Sequence, residues 1–168
     1  KKNIRVVAGK PLIAHSIKHA LDSKLIDRVI VSTDSQEIAD IALSYGAEVP
    51  FLRPSNLSDD LSLDIGFHRH AKDWLKENEA YSPDFIINLR PTTPVRDSQI
   101  LDEAINLFSM HPEIDSMISV RLSDKSPYKM WKKDKNGLIS PLFKNFETYK
   151  EPYNLPRQLL PESFIHDG

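Results

Sequence analysis

The sequence has no cysteine, which excludes disulfide bonds and metal sites built from thiolates. It also has no apolar run that approaches the length of a membrane span. Its net charge of −2 argues against a nucleic-acid partner, because such partners are usually bound by a broad basic surface. From these absences we expect a soluble, cytoplasmic protein that binds neither nucleic acid nor a membrane.

The length of 168 residues suits a single domain with a substantial core. The opening KKNIRVVAGKP is not typical of a natural start, and IHDG closes the sequence without a helix cap or a tail. We therefore expect one domain over residues 1–168 that is incomplete at both ends.

The segment Asp84–Arg96, DFIINLRPTTPVR, joins an apolar strand pattern to a polar turn. Phe85–Leu89 is nearly continuous in apolar residues, which is typical of a strand covered on both faces of a parallel sheet. Two prolines then end the strand and fix the turn. The side chains that remain available to bind a ligand are those of Arg90, Thr92, Thr93 and Arg96. An ordinary polar loop is the alternative interpretation.

Apolar segments alternate with helical patterns along the chain, an order typical of an α/β fold with a doubly wound, mainly parallel sheet. The strands are expected at Arg28–Ser32, Ala47–Phe51, Asp84–Leu89 and Ser116–Val120. Those near Arg28, Asp84 and Ser116 should be neighbours in the sheet. Right-handed crossovers place the loops that follow the strands along one edge. The side chains that should meet there are those of Asp34, Arg53, Arg90 and Thr92.

Helical spacing of apolar residues predicts four helices, which begin after Pro11, near Asp34, near Ser62 and near Asp97. Asp34 and Glu37 resemble a capping pair, so Asp34 has an interpretation as a helix cap as well as a ligand group. Ser62 or Asp64 is expected to cap the third helix.

Two arginines also have a functional and an ordinary interpretation. The forked guanidinium of Arg53 suits a phosphate or a planar acceptor, and a solvated loop is the alternative. The segment Pro152–Pro161 carries Arg157 and Gln158. It is either a linker or subunit arm, or a loop that returns an arginine to the site. Asp134–Gly137 predicts a tight turn.

Seven short motifs follow one another through the chain. They are Lys2-Asn3-Ile4, Gly9-Lys10-Pro11-Leu12-Ile13, Val31-Ser32-Thr33-Asp34, Arg53-Pro54, Pro91-Thr92-Thr93-Pro94 with Arg96, Ser126-Pro127-Tyr128 and Pro156-Arg157-Gln158. Their order and spacing resemble those of the acylneuraminate cytidylyltransferases, which comprise the CMP-sialic acid synthetases and relatives acting on legionaminic and pseudaminic acids. The resemblance covers essentially the whole chain.

The resemblance implies a nucleotide-diphosphosugar-transferase (Rossmann-like) fold. It also implies transfer of CMP from CTP to the anomeric hydroxyl of a nonulosonic acid, with release of pyrophosphate and assistance from Mg²⁺. By similarity, Asn3, Arg53 and Ser62 hold the nucleotide, and Lys2 and Arg157 are catalytic. The residues that similarity places on the sugar side are Arg90, Thr92, Thr93 and Gln158. The implied partners are CTP, the sugar acid and a second copy of the chain in a homodimer.

The chain departs from the family pattern in several places. A basic, glycine-containing phosphate loop is expected before Lys2, and the acidic pair that holds Mg²⁺ is expected beyond the last residue, so the metal ligands stay unassigned. Arg90 stands where sialic acid enzymes usually have glutamine, and Ile165–Gly168 stands where they have an Arg-x-Asn-Gly run. These two differences favour a related nonulosonic acid over sialic acid itself. The alternatives are transfer to another sugar acid, such as ketodeoxyoctonate, or a non-catalytic nucleotide- or sugar-binding module.

Overall fold

The computed structural model describes residues 2–59 and 61–166 of the chain. The chain divides into two compact units, residues 1–116 and residues 117–168. The first is unit 1 and the second is unit 2, and each is described by itself.

The described part of unit 1 contains four α-helices, and all four begin close to where helical spacing predicts them. They are α1 (Leu12–Leu21), α2 (Gln36–Ser44), α3 (Asp64–Glu79) and α4 (Ser98–Ser109). A short antiparallel pair, β1 (Val6–Val7) and β2 (Lys10–Pro11), precedes α1. Single 3-10 turns are formed by Lys2–Ile4 and Ser55–Leu57.

The core of unit 1 is formed where α1 meets α2. Ile13 and Ile17 lie one turn apart on α1 and pack with Ala42 of α2 and with Ala47, all of them buried. The small alanine side chains let the two helices approach closely. The partly buried side chains that pack against this cluster are Val29, Val31, Ile38, Ile41 and Val49. Burial of this apolar stripe, rather than helix propensity alone, therefore fixes the position of α1.

Helix capping follows the sequence at α4 but differs from it at α2 and α3. Asp97 accepts a hydrogen bond from the backbone N–H of Gln99 at 3.0 Å, as its N-cap position predicts. The predicted cap at Asp34 is wrong, because the N-cap residue of α2 is Ser35. The predicted cap at Ser62 or Asp64 is wrong too. Leu63 occupies the N-cap of α3, while the Ser62 hydroxyl donates to Asp59 at 3.0 Å.

Parallel pairing occurs between two of the predicted strands of unit 1, at a single bridge between Ile30 and Glu48. Two backbone hydrogen bonds support it: Val31 N–H to Glu48 O at 2.9 Å, and Glu48 N–H to Val29 O at 2.7 Å. Among the residues that the structure describes, no backbone hydrogen bond pairs Phe85–Leu89 with another segment. The described residues therefore do not lay out the full doubly wound sheet.

A cavity of about 900 Å³ is lined by both Val29–Ser32 and Phe85–Leu89. The predicted strand at Phe85–Leu89 thus lies at the cavity without a backbone partner among the described residues. Accordingly, Phe85, Ile86 and Ile87 keep 45%, 50% and 40% of their surface exposed.

Unit 2 is built from short antiparallel strand pairs. The pairs are β3 (Val120–Leu122) with β8 (Phe164–His166), β4 (Trp131–Lys133) with β5 (Ile139–Pro141), and β6 (Asn145–Phe146) with β7 (Tyr149–Lys150). The strand predicted at Ser116–Val120 is thus displaced, because β3 begins at Val120 and its partner is antiparallel. The predicted turn Asp134–Gly137 is confirmed: it joins β4 to β5, and Gly137 adopts φ +87.

Candidate functional site

The cavity of unit 1 gathers the chemically active side chains of the strand-end loops. Those that line it include Lys2, Asn3, Asp34, Arg53, Asp64, Arg90 and Thr92. The four residues that right-handed crossovers predict at one edge of the sheet all line this cavity. They are Asp34, Arg53, Arg90 and Thr92. Ser62 and Thr93 are not among the residues that line the cavity.

Arg53 is held in the cavity wall by contacts on several sides. Its backbone N–H donates to the carbonyl oxygen of Thr33 at 2.8 Å. This bond joins the Arg53 loop to the residue that follows the segment Arg28–Ser32. Its Nε donates to the Ser58 hydroxyl at 3.0 Å, and the guanidinium lies 5.3 Å from the ring centroid of Phe67 on α3. The Asp34 carboxylate lies 4.0 Å from Nη2. The guanidinium is therefore oriented before any ligand arrives.

The loop that begins at Arg90 is anchored by Arg96 and by α1. The Nη2 of Arg96 donates to the carbonyl oxygen of Arg90 at 2.9 Å, and its Nη1 donates to the Ser16 hydroxyl at 3.1 Å. That hydroxyl also donates to the Arg90 carbonyl at 3.3 Å. Burial lowers the pKa of Arg96, but an arginine stays charged under all ordinary conditions. The sequence predicts Arg96 as a ligand-binding candidate, and the contacts to Ser16 and Arg90 show that it also stabilises the loop.

The Arg90 side chain extends to the opposite side of the loop, where its Nη2 forms an ion pair with Asp64 at the start of α3. His68 lies one turn further along α3, half-buried, and also lines the cavity. Burial lowers the pKa of His68. The Arg90 guanidinium acts in the same direction, while the Asp64 carboxylate opposes it.

Two polar atoms in the cavity wall lack a partner. Asn3 Oδ1 and Ser32 Oγ are buried and make no hydrogen bond with the part of the chain that the structure describes. A buried acceptor or hydroxyl without a partner is costly, and a hydrogen bond from a ligand or an ordered water would remove that cost. Asn3 lies beside Lys2 on the first 3-10 turn, which adds a cation at the same position.

Four acidic residues line the cavity: Asp27, Asp34, Asp64 and Asp84. Asp34 and Asp64 face arginine side chains. Over residues 2–59 and 61–166, no group of three histidine or acidic side chains is arranged to hold a metal ion. The described residues therefore do not fit a complete Mg²⁺ site.

Unit 2 carries the other two predicted site residues. Arg157 and Gln158 begin a 3-10 turn, Arg157–Leu159, and both are exposed. The Nη1 of Arg157 donates to the carbonyl oxygen of Asp124 at 3.0 Å. Arg157 also lines a small cavity of about 170 Å³ within unit 2, beside Ser126, whose buried hydroxyl has no hydrogen-bond partner among the described residues. The interpretation placed on Ile165–Gly168 rests partly on Asp167 and Gly168, which lie outside the described residues.

Sequence reasoning did not find the side chains that hold the two loop arginines. Ser58, Phe67 and Asp64 make these contacts from five, fourteen and twenty-six positions away along the chain. Their signal in the sequence is weak, because a serine, a phenylalanine and an aspartate are ordinary residues in a loop and a helix.

Among the described helices, none is long and apolar enough to cross a membrane.

The chain is similar in sequence to known cytidylyltransferases. The family model described as "Cytidylyltransferase" matches residues 1–127. The chain is 36% identical over 156 residues to CMP-N,N'-diacetyllegionaminic acid synthase of Legionella pneumophila, covering 88% of this chain and 63% of that protein. It is 40% identical over 109 residues to pseudaminic acid cytidylyltransferase of Campylobacter jejuni, covering 64% of this chain and 46% of that protein.

A solved structure is similar in fold. It is the structure of CMP:2-keto-3-deoxy-manno-octonic acid synthetase complexed with CTP, matched with a TM-score of 0.64 over 99% of this chain and 65% of that chain. The sequence identity is 18%, so this likeness concerns the fold alone. The chain spans 63% and 46% of the lengths of the two relatives above.

Proposed function

Because the chain belongs to the cytidylyltransferase family, we propose that the protein transfers CMP from CTP to the anomeric hydroxyl of a nonulosonic acid. The bond between the α- and β-phosphates of CTP breaks, the anomeric oxygen bonds to the α-phosphorus, and pyrophosphate leaves. The observation that carries this proposal is the cavity of unit 1, which is lined by Lys2, Asn3, Arg53 and Arg90 in a chain whose family match covers residues 1–127. Support for the acceptor comes from relatives named for legionaminic and pseudaminic acids.

The nucleotide half of the proposal assigns roles to Lys2, Asn3, Arg53 and Ser62. Triphosphates are bound by preorganised cations and N–H donors, which stabilise charge as it develops on the leaving group. Arg53, already oriented by Ser58 and Phe67, supplies a forked donor to the nucleotide. Lys2 supplies a point charge near the phosphates as a catalytic residue, and Asn3 contributes the buried oxygen that has no partner among the described residues. Ser62 is assigned to the nucleotide by family resemblance alone, because its hydroxyl donates to Asp59 and it does not line the cavity.

The sugar half of the proposal assigns the acceptor to Arg90, Thr92, Thr93 and Gln158, and the family resemblance gives Arg157 a catalytic role. A guanidinium offers only donors and a permanent charge. A sugar acid presents a carboxylate and several hydroxyl oxygens, all of which accept hydrogen bonds. This complementarity supports Arg90 as the residue that selects the sugar.

Further parts of the proposal rest on the family. We infer that the segments Arg28–Ser32 and Asp84–Leu89 belong to the doubly wound, mainly parallel sheet of a nucleotide-diphosphosugar-transferase fold. The parallel bridge at Ile30 and the similar solved structure support this inference. We also infer from the family that residues 1–168 form a single cytidylyltransferase domain and that Mg²⁺ assists the reaction. We further infer that the protein forms a homodimer and is cytoplasmic. CTP-using nucleotidyltransferases generally use a divalent metal, which neutralises phosphate charge.

A second candidate acceptor is ketodeoxyoctonate, the eight-carbon sugar acid. The solved structure that is similar in fold belongs to an enzyme named for that sugar, although this likeness concerns the fold alone. Both acceptors share a carboxylate next to the anomeric carbon, so the same guanidinium suits either one.

The proposed function is tested by pyrophosphate release from CTP by the full-length protein. The acceptors to compare are legionaminic, pseudaminic and neuraminic acids and ketodeoxyoctonate, each with Mg²⁺ and with EDTA. Release with a nonulosonic acid supports the proposal, and release with ketodeoxyoctonate alone supports the second candidate. Binding of CTP without release for any acceptor would show a binding module instead.

A further inference from the structure

The ion pair between Arg90 and Asp64 lies at the edge of the cavity of unit 1. The two side chains keep 50% and 46% of their surface exposed, so water reaches both. Exposed ion pairs contribute little to stability because solvent screens them and both side chains lose freedom. Stability alone therefore gives no reason for this contact. Its clear consequence is the direction in which the Arg90 guanidinium points.

Arg90 is fixed at both ends. Its carbonyl oxygen accepts hydrogen bonds from Arg96 and Ser16, which tie its main chain to α1. Its Nη2 is taken by Asp64 on α3. Nε and Nη1 make no hydrogen bond with the described part of the chain. Their N–H groups point in different directions from the edge of the guanidinium plane, and both are available to a ligand once the guanidinium is oriented. A forked donor discriminates between acceptors only when it is held still.

We propose that Asp64 determines which sugar acid the site accepts, by positioning Arg90. The proposal rests on the proposed function, because it concerns the acceptor of that reaction. Asp64 acts as a positioning residue: it occupies one nitrogen of the guanidinium and balances part of its charge. The N–H groups that Asp64 leaves available are then held in fixed directions, and the acceptor oxygens of the sugar acid must match those directions. Without Asp64 the guanidinium swings freely and satisfies many different arrangements of acceptors, so the site loses selectivity.

The test measures kcat/KM of the full-length protein for at least three sugar acids, with CTP saturating. The variants are Asp64→Asn, Arg90→Gln and the double variant. Asp64→Asn should change the ratio of kcat/KM between the best and the poorest sugar about five- to tenfold, and Arg90→Gln about ten- to a hundredfold. The double variant should match Arg90→Gln alone, because Asp64 acts only through Arg90. The KM for CTP should stay near its wild-type value throughout.

Two further variants make the result specific. Asp64→Glu keeps the carboxylate and should restore most of the wild-type ratio, which a merely structural aspartate would not require. Asp22→Asn removes an exposed carboxylate from another helical ion pair, that of Lys18 and Asp22 at 2.9 Å, and should leave the ratio unchanged. If Asp64→Asn is unstable, Asp64→Ser provides a second substitution at the same position.

Several outcomes would overturn the proposal. They are additive effects of Asp64→Asn and Arg90→Gln, an equal loss for every sugar, and a change confined to CTP. If the wild type releases no pyrophosphate with any sugar acid, the proposed function fails by itself. Sugar-acid binding measured calorimetrically then decides the role of Asp64, and identical relative affinities in the wild type and Asp64→Asn would reject it.

Discussion

The side chain of Arg53 is held in one orientation by its neighbours, which favours ligand binding. An exposed arginine has many rotamers, and ordering them on binding costs free energy. Here the Ser58 hydroxyl accepts from Nε, and the Phe67 ring faces the guanidinium at 5.3 Å. Only 20% of the side chain is exposed, so much of that ordering is complete in the folded protein.

Replacing Arg53 with alanine should therefore weaken CTP binding much more than it weakens the fold. We expect the dissociation constant for CTP to rise about ten- to a hundredfold, which corresponds to the roughly 1.5–3 kcal/mol of a charge-assisted hydrogen bond. The free energy of unfolding should fall by only about 0.5–1 kcal/mol, from the lost contact with Phe67. Calorimetric titration and chemical denaturation measure the two quantities.

Arg69→Ala is a matched control, because it removes an exposed arginine from α3. It should change neither quantity. Intact CTP binding combined with a large loss of stability in Arg53→Ala would make Arg53 a structural residue.

At the scale of elements, Arg28 joins the end of α3 to the parallel bridge of unit 1. Its guanidinium donates to Glu48 and, at 2.6 Å, to Glu79 in the last turn of α3, and it lies 4.8 Å from the ring centroid of Tyr81. Hydrogen bonding from Arg28 lowers the pKa of Glu48. The Arg28 side chain is 20% exposed, so these ion pairs are screened less than ordinary surface pairs.

Arg28→Ala should lower the free energy of unfolding by about 1–3 kcal/mol, because two carboxylates lose their shared partner. Chemical denaturation measures the change. Lys18→Ala is the matched control: it removes an exposed ion pair between Lys18 on α1 and Asp22 at the C-cap of that helix, which should cost at most about 0.5 kcal/mol. Equal losses in both variants would mean that Arg28 behaves as an ordinary surface cation.

The helix α3 should also make stability depend on pH. Burial lowers the pKa of His68, and burial also lowers the pKa of His19 on α1. Below about pH 6.5 the unfolded chain binds protons at these histidines more readily than the folded chain does. Their contribution is therefore fully present above that pH and is lost as the pH falls.

The free energy of unfolding should decrease between pH 7 and pH 5, and His68→Gln should flatten that slope. Denaturation at several pH values measures it. The carboxylates whose pKa is lowered, such as Glu48 and Asp102, lose their contribution only below about pH 4, so the two effects are separable. An unchanged slope in His68→Gln would mean that His68 does not contribute.

The elements of the fold differ in how well the sequence predicts them. The four helices follow from local apolar spacing, and Asp97 caps α4 as predicted. Asp34 and Ser62 do not cap, since Asp34 lies near Arg53 and Ser62 bonds to Asp59. Strand pairing depends on partners far away in sequence, so the apolar pattern of Phe85–Leu89 could not reveal the cavity beside it.

In the candidate site, too, local sequence features can be predicted, while contacts between residues far apart in the sequence cannot. Arg53 and Arg90 were recognisable because a charged side chain directly after an apolar segment is a strong local signal. Their partners Phe67 and Asp64 were not, because the pairing requires α3 to be placed against both loops. A single sequence therefore gives candidate ligand-binding residues and leaves open which residues position them.

At the scale of the whole molecule, unit 2 exposes many large apolar side chains for its size. Those on or next to the β4–β5 hairpin, with 40% to 69% of their surface exposed, are Met130, Trp131, Leu138, Ile139, Leu142 and Phe143. Monomeric proteins rarely leave such groups together in water. The proposed homodimer offers them a partner surface, because a twofold interface pairs the same patch on both copies.

The full-length protein should therefore sediment at twice its monomer mass at micromolar concentration. Ile139→Lys, at a side chain that is 66% exposed, should shift the equilibrium toward monomer because a charge would have to be buried in the interface. Met110→Lys is the matched control: it places the same charge on an apolar residue of unit 1 that is 75% exposed, and should leave the dimer intact. A monomer in the wild type would remove the homodimer from the proposal. A dimer that both variants leave unchanged would place its interface away from this hairpin, since a lysine at Ile139 tolerated without loss of affinity cannot lie in a desolvated contact.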